Sequence, residues 1–341
     1  MGTKYIGKQS IRFDNPPSIV ASAAVGSKKE GDGPLGSWFD YISADSRFGQ
    51  KSWEKAETTM QQKVFSIACD KAMLSPSQLR YIFAGDLLNQ CTASSYSMRD
   101  SGIPFLGLYG ACSTIAQGLA LAAMSIDGGY ADKAAVITSS HFCSAERQFR
   151  TPLEYGGQRT PTAQWTATAA GCAVLSAVGQ GPFITNVTIG TIKDAGISDV
   201  NNMGAAMAPA AYETISTHLA DFSIKPGDYD LIVTGDLGKV GHDILLDLFS
   251  RDGFDLSAIC DDCGLLLYSL EEQDVHAGAS GCGCAASVLC GYLLAGVRSG
   301  RWKKVLISAT GALMSPVTSG QGESIPGISH AVTICSSGEG F

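Results

Sequence analysis

The chain has 341 residues, 45% of them hydrophobic and 16% charged, with 40 glycines. That length and balance suit two domains or one large duplicated one, and they exclude a disordered or fibrous protein. A net charge of −8 with no Lys/Arg-rich stretch argues against a general nucleic-acid binder.

From the start of the chain, Met1-Gly2-Thr3-Lys4 leads into polar sequence rather than an apolar leader, and Ile6 breaks the myristoylation pattern. The 11 cysteines are therefore read as reduced thiols of a cytosol-like compartment. Ser52 is placed to cap a helix with Ala56, Met60, Val64, Ile67 and Ala68 on one face. Ser75–Leu87 follows as a proline turn, an apolar strand and a Gly-Asp-Leu end. Ile103–Tyr109 reads as a strand. The Gly110-Ala111-Cys112-Ser113 turn then opens a small-residue helix whose apolar run, Ile115–Ile126, is shorter than the roughly 18 residues that span a bilayer. A turn at Gly129 and a strand at Ala134–Thr138 complete this part. Gly179-Gln180-Gly181-Pro182 is the natural boundary between two halves, residues 1–180 and 181–341.

The second half repeats the first. After a helical pattern at Met203–Phe222, Lys225–Leu237 matches Ser75–Leu87 at an offset of 150 residues. Gly281–Gly311, with a strand at Val305–Ser308, tracks Gly110–Ser140 at an offset of 171. The second half thus carries an insertion between Asp236 and Gly281. A duplicated unit of alternating strands and helices predicts a layered α/β fold, with the two small-residue helices packed together in the middle.

Candidate chemistry centres on Cys112. A strand, a tight turn and a helix start make a nucleophile elbow. The helix N-terminus directs backbone N–H groups and a favourable dipole at this position, so the thiol is expected to have a lowered pKa. The same donors suit a carboxylate ligand without covalent chemistry, and a small buried residue in a tight turn is the plain alternative. Ser113 shares the helix start. Asp86 and Asp236 hold equivalent places after their strands, where turn capping is the ordinary role; Asp86 keeps a chance of lining the site. Ser139, His141, Arg147 and Arg150 follow the Ala134–Thr138 strand, and the two arginines share a helix face, to clamp an anion or to pair with Glu146 or Glu154. His330 is expected just before a strand at Ala331–Ile334, facing a pocket or closing a loop. Cys260-Asp261-Asp262-Cys263 and Cys282-Gly283-Cys284 have irregular spacing for zinc and read as free thiols, so no metal or other cofactor is expected. No Gly-rich stretch has the spacing of a phosphate loop.

Gly110-Ala111-Cys112-Ser113-Thr114 in a duplicated α/β chain resembles the thiolase superfamily, which includes the ketoacyl synthases. That resemblance implies a layered αβαβα fold with two central helices, and a homodimer. In the ketoacyl synthase III branch the cysteine works with a His and an Asn from the second half. The matching stretches here read Val233-Thr234-Gly235 and Gly281-Cys282-Gly283, so Gly235 and Cys282 stand where those residues would be. Such a site lacks its usual base and oxyanion donors.

Longer strings carry a closer resemblance, from Ile6 to about Val332: Asp32-Gly33-Pro34-Leu35-Gly36-Ser37, Ala84-Gly85-Asp86-Leu87-Leu88-Asn89-Gln90, Ala145-Glu146-Arg147-Gln148-Phe149-Arg150 and Met207-Ala208-Pro209-Ala210-Ala211. They resemble the stage V sporulation protein AD family. That resemblance implies a non-catalytic protein that binds dipicolinic acid (pyridine-2,6-dicarboxylic acid), alone or as its calcium chelate. It also implies a role in uptake of that ligand into the developing spore, at the inner spore membrane beside membrane proteins of the stage V sporulation A group. The candidate ligand-binding set is Cys112, Ser113, Asp86, Ser139, His141, Arg147, Arg150 and His330. The competing reading is an acyl-CoA-dependent condensing enzyme that uses Cys112.

Overall fold

The computed structural model describes residues 4–149 and 158–339. Two runs of elements follow one plan. The first comprises strand β1 (Ser18–Ser27), helix α1 (Trp53–Ala72), strands β2 (Tyr81–Gly85) and β3 (Phe105–Gly107), helix α2 (Thr114–Asp127), and strands β4 (Lys133–Ser140) and β5 (Ala169–Ser176). The second comprises β6 (Phe183–Ile189), α3 (Met203–Phe222), β7 (Leu231–Thr234), β8 (Cys260–Asp262), α4 (Cys282–Ser287), β9 (Lys304–Ala312) and β10 (Gly327–Cys335). Helix α4 continues through a π-helical stretch, Val288–Leu293, into Leu294–Arg298.

The strand orders are β3-β2-β4-β5-β1 and β8-β7-β9-β10-β6. In each, the two pairs toward the far edge are parallel and the two toward the β1 or β6 end are antiparallel. The two runs join where Ser18 of β1 meets Phe183 of β6. A short strand from the beginning of the chain, Ser10–Arg12, pairs with β6 of the second run.

Local chemistry explains the helices. The Ser52 hydroxyl accepts from the Lys55 N–H to cap α1, and Asn202 does the same for α3 through Ala205. Each helix ends on a left-handed residue, Met73 and Ser223. Ala56, Met60, Val64 and Ala68 are fully buried, as their spacing predicts, and Ile67 packs partly buried beside them. Helix α1 covers β1, β5 and β4 from outside, and α3 covers β6, β9 and β10. Helix α2 touches strands of both runs, and α4 lies beside it. The layers are therefore helix, sheet, helix pair, sheet, helix, the thiolase-like αβαβα arrangement.

Small residues make the middle layer possible. Ala116, Leu119, Ala120 and Ala123 of α2 are fully buried, as are Cys284, Ala285 and Ala286 of α4. At Gly171 of β5, an added Cβ would lie 2.3 Å from the Ala286 carbonyl oxygen, so any side chain there would push α4 away from its sheet.

Several boundaries differ from the sequence reading. Strands β4 and β9 continue past Thr138 and Ser308 because their polar ends stay buried and hydrogen-bonded, as Ser139 and Ser140 show. Strand β3 is shorter than Ile103–Tyr109, because only Phe105–Gly107 pairs with β2 at the sheet edge. Strand β10 starts at Gly327, so His330 lies within a strand and not before it. The insertion of the second half contains the 14-residue helix Gly238–Arg251 where the first half has the seven residues Thr92–Met98.

Candidate functional site around Cys112

Cys112 sits on the turn between β3 and α2, where Ala111 takes a positive φ of 48° to swing the chain round. It is 6% exposed and packs with Leu87, Ala145 and Cys282. The turn uses its own donors. The Ser113 N–H donates to the Gly110 carbonyl (3.0 Å) and the Thr114 N–H to that of Ala111 (3.3 Å). The Ser113 and Thr114 hydroxyls donate to the same two carbonyls at 2.6 Å each. The helix start at Ser113 and Thr114 is thus closed on itself. Ser113 is fully buried and satisfied, which removes it as a ligand donor in this geometry.

The charge that weighs most on the Cys112 thiol is that of Asp236, from the loop after β7. Its carboxylate accepts from the Gly281 N–H (2.9 Å) and the Thr310 hydroxyl (2.8 Å) and is fully buried. Burial raises the Asp236 carboxyl to about 6, against the pull of those donors. Burial first, and then the Asp236 charge, push the Cys112 thiol well above its ordinary value. This reverses the lowered pKa expected from the elbow. A dry layer beside a carboxylate outweighs the helix dipole.

The two departures from the condensing pattern have structural form. A Cβ at Gly235 would lie 2.8 Å from the Thr310 nitrogen and 2.9 Å from the Ala309 Cα, both backbone atoms, so no side chain fits there. Cys282 donates its thiol to the Ala111 carbonyl at 2.9 Å and also has a raised pKa, chiefly from burial and then from the Asp86 charge.

Above Cys112 lies a slit of about 20 Å³, room for roughly one water. Leu87, Tyr109 and Met314 also line a wider vestibule of about 370 Å³. The vestibule offers neutral polar groups, Asn89, Gln90, Gln148, Ser315 and Thr318, beside apolar walls. Among the described residues lining either space there is no Lys, Arg or His.

The remaining candidates lie elsewhere. Asp86 accepts from the Leu88 N–H (2.9 Å), the Ser94 N–H (2.8 Å) and the Ser94 hydroxyl (2.6 Å), a capping role. Ser139 donates to Glu57 (2.8 Å) and accepts from Gln61 (2.7 Å) in a buried network. His141 lines a different cavity of about 780 Å³, shared with Lys29 and Trp165. Its Nε2 bonds the Ser46 carbonyl (2.8 Å), its Nδ1 accepts from the Cys143 N–H (3.2 Å), and burial lowers its pKa. Those partners require the neutral ring. Arg147 pairs with Glu54 at the surface. Arg150 and Glu154 lie outside the described residues. His330 accepts from the Gly190 N–H (3.2 Å), and burial lowers it to about 4. Of the candidates among the described residues, Cys112 lines the slit, and none of the others lines the slit or the vestibule. Sequence reasoning assigned Asp236 to turn capping and overlooked Glu57; the Gly-Asp-Leu repeat was the one signal pointing to the former.

Among the described residues no group of three or more His, Cys, Asp or Glu is arranged to hold a metal, and no helix is long and apolar enough to cross a membrane.

The family model for stage V sporulation protein AD matches residues 7–335. The chain belongs to the stage V sporulation protein AD family. It is 44% identical over 329 residues to stage V sporulation protein AD of Bacillus subtilis (strain 168), covering 96% of this chain and 97% of that one. Solved structures share the fold of this family member at low identity. The 3-oxoacyl-[acyl-carrier-protein] synthase III of Aquifex aeolicus is 13% identical, with a TM-score of 0.56 over 94% of this chain and 99% of that one. A variant of OleA from Xanthomonas campestris is 14% identical, with a TM-score of 0.60 over 95% and 99%. This sporulation protein therefore has the fold of the thiolase-like synthases.

Proposed function

We propose that this family member binds dipicolinic acid and takes part in its uptake into the developing spore, without catalysing condensation. The observation that carries the reading is the Cys112 thiol. It is buried, held neutral beside Asp236, and has Gly235 and Cys282 where a condensing enzyme needs an imidazole and an amide. Such a centre favours binding over acyl transfer.

The vestibule is large enough for a flat single-ring dicarboxylate. Leu87, Tyr109, Leu313, Met314 and Pro316 offer an apolar slot, and the Asn, Gln, Ser and Thr groups offer hydrogen bonds. With no cationic side chain among the described lining residues, a counterion that travels with the ligand would complete the charge balance, which supports the calcium chelate as a ligand form. Membrane proteins of the stage V sporulation A group would then supply the link to the inner spore membrane, with this chain acting as a homodimer beside them.

Calorimetric titration with dipicolinate and with its calcium chelate tests the reading. Saturable binding to either, weakened by Cys112→Ser or Gln148→Ala, supports it, and flat titrations with both refute it. A second reading, residual acyl transfer, is favoured by the elbow itself on a fold shared with synthases. A mass increase on Cys112 after incubation with acyl-CoAs would establish it; no increase across several chain lengths removes it.

A further inference from the structure

The cavity of about 780 Å³ beside His141 plays no part in the binding reading, and one of its walls presents a cation. Strand β1 ends at Ser27, and the short helix Lys28–Gly31 that follows sets Lys29 against Trp165. The Lys29 Nζ lies 4.1 Å from the centre of the indole, and the Arg159 guanidinium lies 4.9 Å from the same ring. Phe142 stacks on Trp165 at 4.0 Å, with the two planes 15° apart. With Phe142 and Lys29 both set against it, the indole holds a cation instead of offering a bare face to a flat ligand.

The acids of the cavity leave Lys29 without an ion pair. Glu30 is fully buried, and its carboxylate accepts from the Ser27 N–H (3.1 Å), the Ser27 hydroxyl, the Thr168 N–H (2.9 Å) and the Tyr268 hydroxyl. Asp32 pairs with Lys28 at the surface. Glu272 and Asp274 are exposed, and the Asp274 carboxylate approaches His276 (3.4 Å). Among the described residues no carboxylate pairs with Lys29, and its ammonium makes one long bond, to the Asp274 carbonyl at 3.4 Å. Burial lowers the Lys29 pKa, with Arg159 acting in the same direction, and the pull of Asp274 and Glu30 does not restore it. The Thr168 hydroxyl also lines the cavity. It accepts from the Phe142 N–H (3.1 Å), and its own proton has no acceptor among the described residues.

We propose that this cavity is a second ligand site, separate from the slit over Cys112, and that it holds a compact tetrahedral oxyanion of the phosphate class on Lys29. The ammonium acts as a point charge and the Thr168 hydroxyl as a neutral donor. A tetrahedral oxyanion takes donors on several oxygens at once and needs no aromatic face. It supplies the negative charge that Glu30, tied to four donors, does not bring to Lys29. The cavity is larger than a phosphate group and has room for the organic part of a monoester. Trp165 lines this cavity and Thr166 lines the slit, so one short strand, Trp165–Thr166, divides the two sites.

Titration with sodium phosphate at constant ionic strength, against sodium chloride, tests the site by calorimetry and tryptophan fluorescence. The wild type should show one saturable site with a dissociation constant of about 1 mM or tighter. Lys29→Gln should weaken it by roughly tenfold or more, and Thr168→Val by about threefold. Lys303→Gln, at an exposed lysine outside the cavity, should leave it within about twofold. Lys29→Arg keeps the charge and should recover most of the binding that Lys29→Gln loses, which separates a lost ligand contact from a lost fold. In a second arm, acetic anhydride labelling of Lys29, read on its peptide by mass spectrometry, should slow by about fivefold or more in saturating phosphate while labelling of Lys303 does not change. Phosphoserine separates the sources of the anion. Binding tighter than that of inorganic phosphate assigns the rest of the cavity to the organic part of a monoester, and equal or weaker binding assigns the site to the free ion. A response that does not saturate, or that chloride reproduces, means an adventitious ion only and overturns the site. So does a Lys29→Gln protein that binds phosphate as the wild type does, or Lys29 labelling that phosphate leaves unchanged.

Discussion

The ends of β2 and β7 carry the same three residues, Gly85-Asp86-Leu87 and Gly235-Asp236-Leu237, and put them to different uses. Asp86 turns back into its own half, where it satisfies two amides and a hydroxyl of the following turn. Asp236 accepts instead from the Gly281 N–H and the Thr310 hydroxyl, and its charge bears on Cys112. The cause is the neighbourhood. After β2 a serine lies eight residues on, close enough to engage the carboxylate, whereas after β7 Asp262 already holds the Leu237 and Gly238 amides and leaves Asp236 free to face inward. One duplicated motif therefore gives a structural cap in one half and the charge of the site in the other. The crossing is mutual in part: Asp86 is the charge with the largest effect on Cys282, as Asp236 is for Cys112.

The comparison can be broken by force at Gly235. Restoring an imidazole there, Gly235→His, drives a side chain into the Ala309–Thr310 backbone and should cost ~3 kcal/mol or more, or abolish folding, in a denaturant melt. A stable Gly235→His protein would show that the site is less closed than described. At the two aspartates the effects should diverge. Asp86→Ala leaves three buried donors unpaired and should cost about 2 kcal/mol of stability. Asp236→Asn keeps the shape and should change stability mainly through its pH dependence. The Asp236 carboxyl is raised from its ordinary 3.8 to about 6, so the folded state holds the proton longer than the unfolded chain does. That contribution is full below about pH 4 and lost as pH rises through about 6. Over this window the wild type should lose on the order of 3 kcal/mol relative to Asp236→Asn, measured by urea melts at each pH. The smallest effect is expected at the surface. Arg147 is 41% exposed in its pair with Glu54, and Arg147→Ala should cost no more than about 0.5 kcal/mol and leave dipicolinate affinity within about twofold.

Much of the fold was legible from local pattern. The cap at Ser52, the apolar face of α1, and the small residues of α2 and α4 follow rules that act over a few residues, and the repeat at Gly-Asp-Leu exposed the duplication. The polar residues were less legible. Ser139, His141, Arg147 and Cys112 lie within 36 positions of one another, yet they serve a buried network, a second cavity, the surface and the slit. Nearness along a chain says little about where a side chain points once a strand ends and a helix begins.

The chain's pattern alone was enough to show the repeated halves and the cysteine turn, and the resemblance to the ketoacyl synthases placed Gly235 and Cys282 where a His and an Asn would stand. Those are statements about residue type and short-range order, and they survive any detail of packing. Folding added the Asp236 charge beside Cys112, the closing of the helix-start donors, and the narrowness of the slit. Each depends on strands of both runs clamping one helix pair between them, so that a charge 124 positions away bears on a buried thiol. There desolvation is the largest influence, and it converts a turn built like a nucleophile's into one that keeps its thiol protonated.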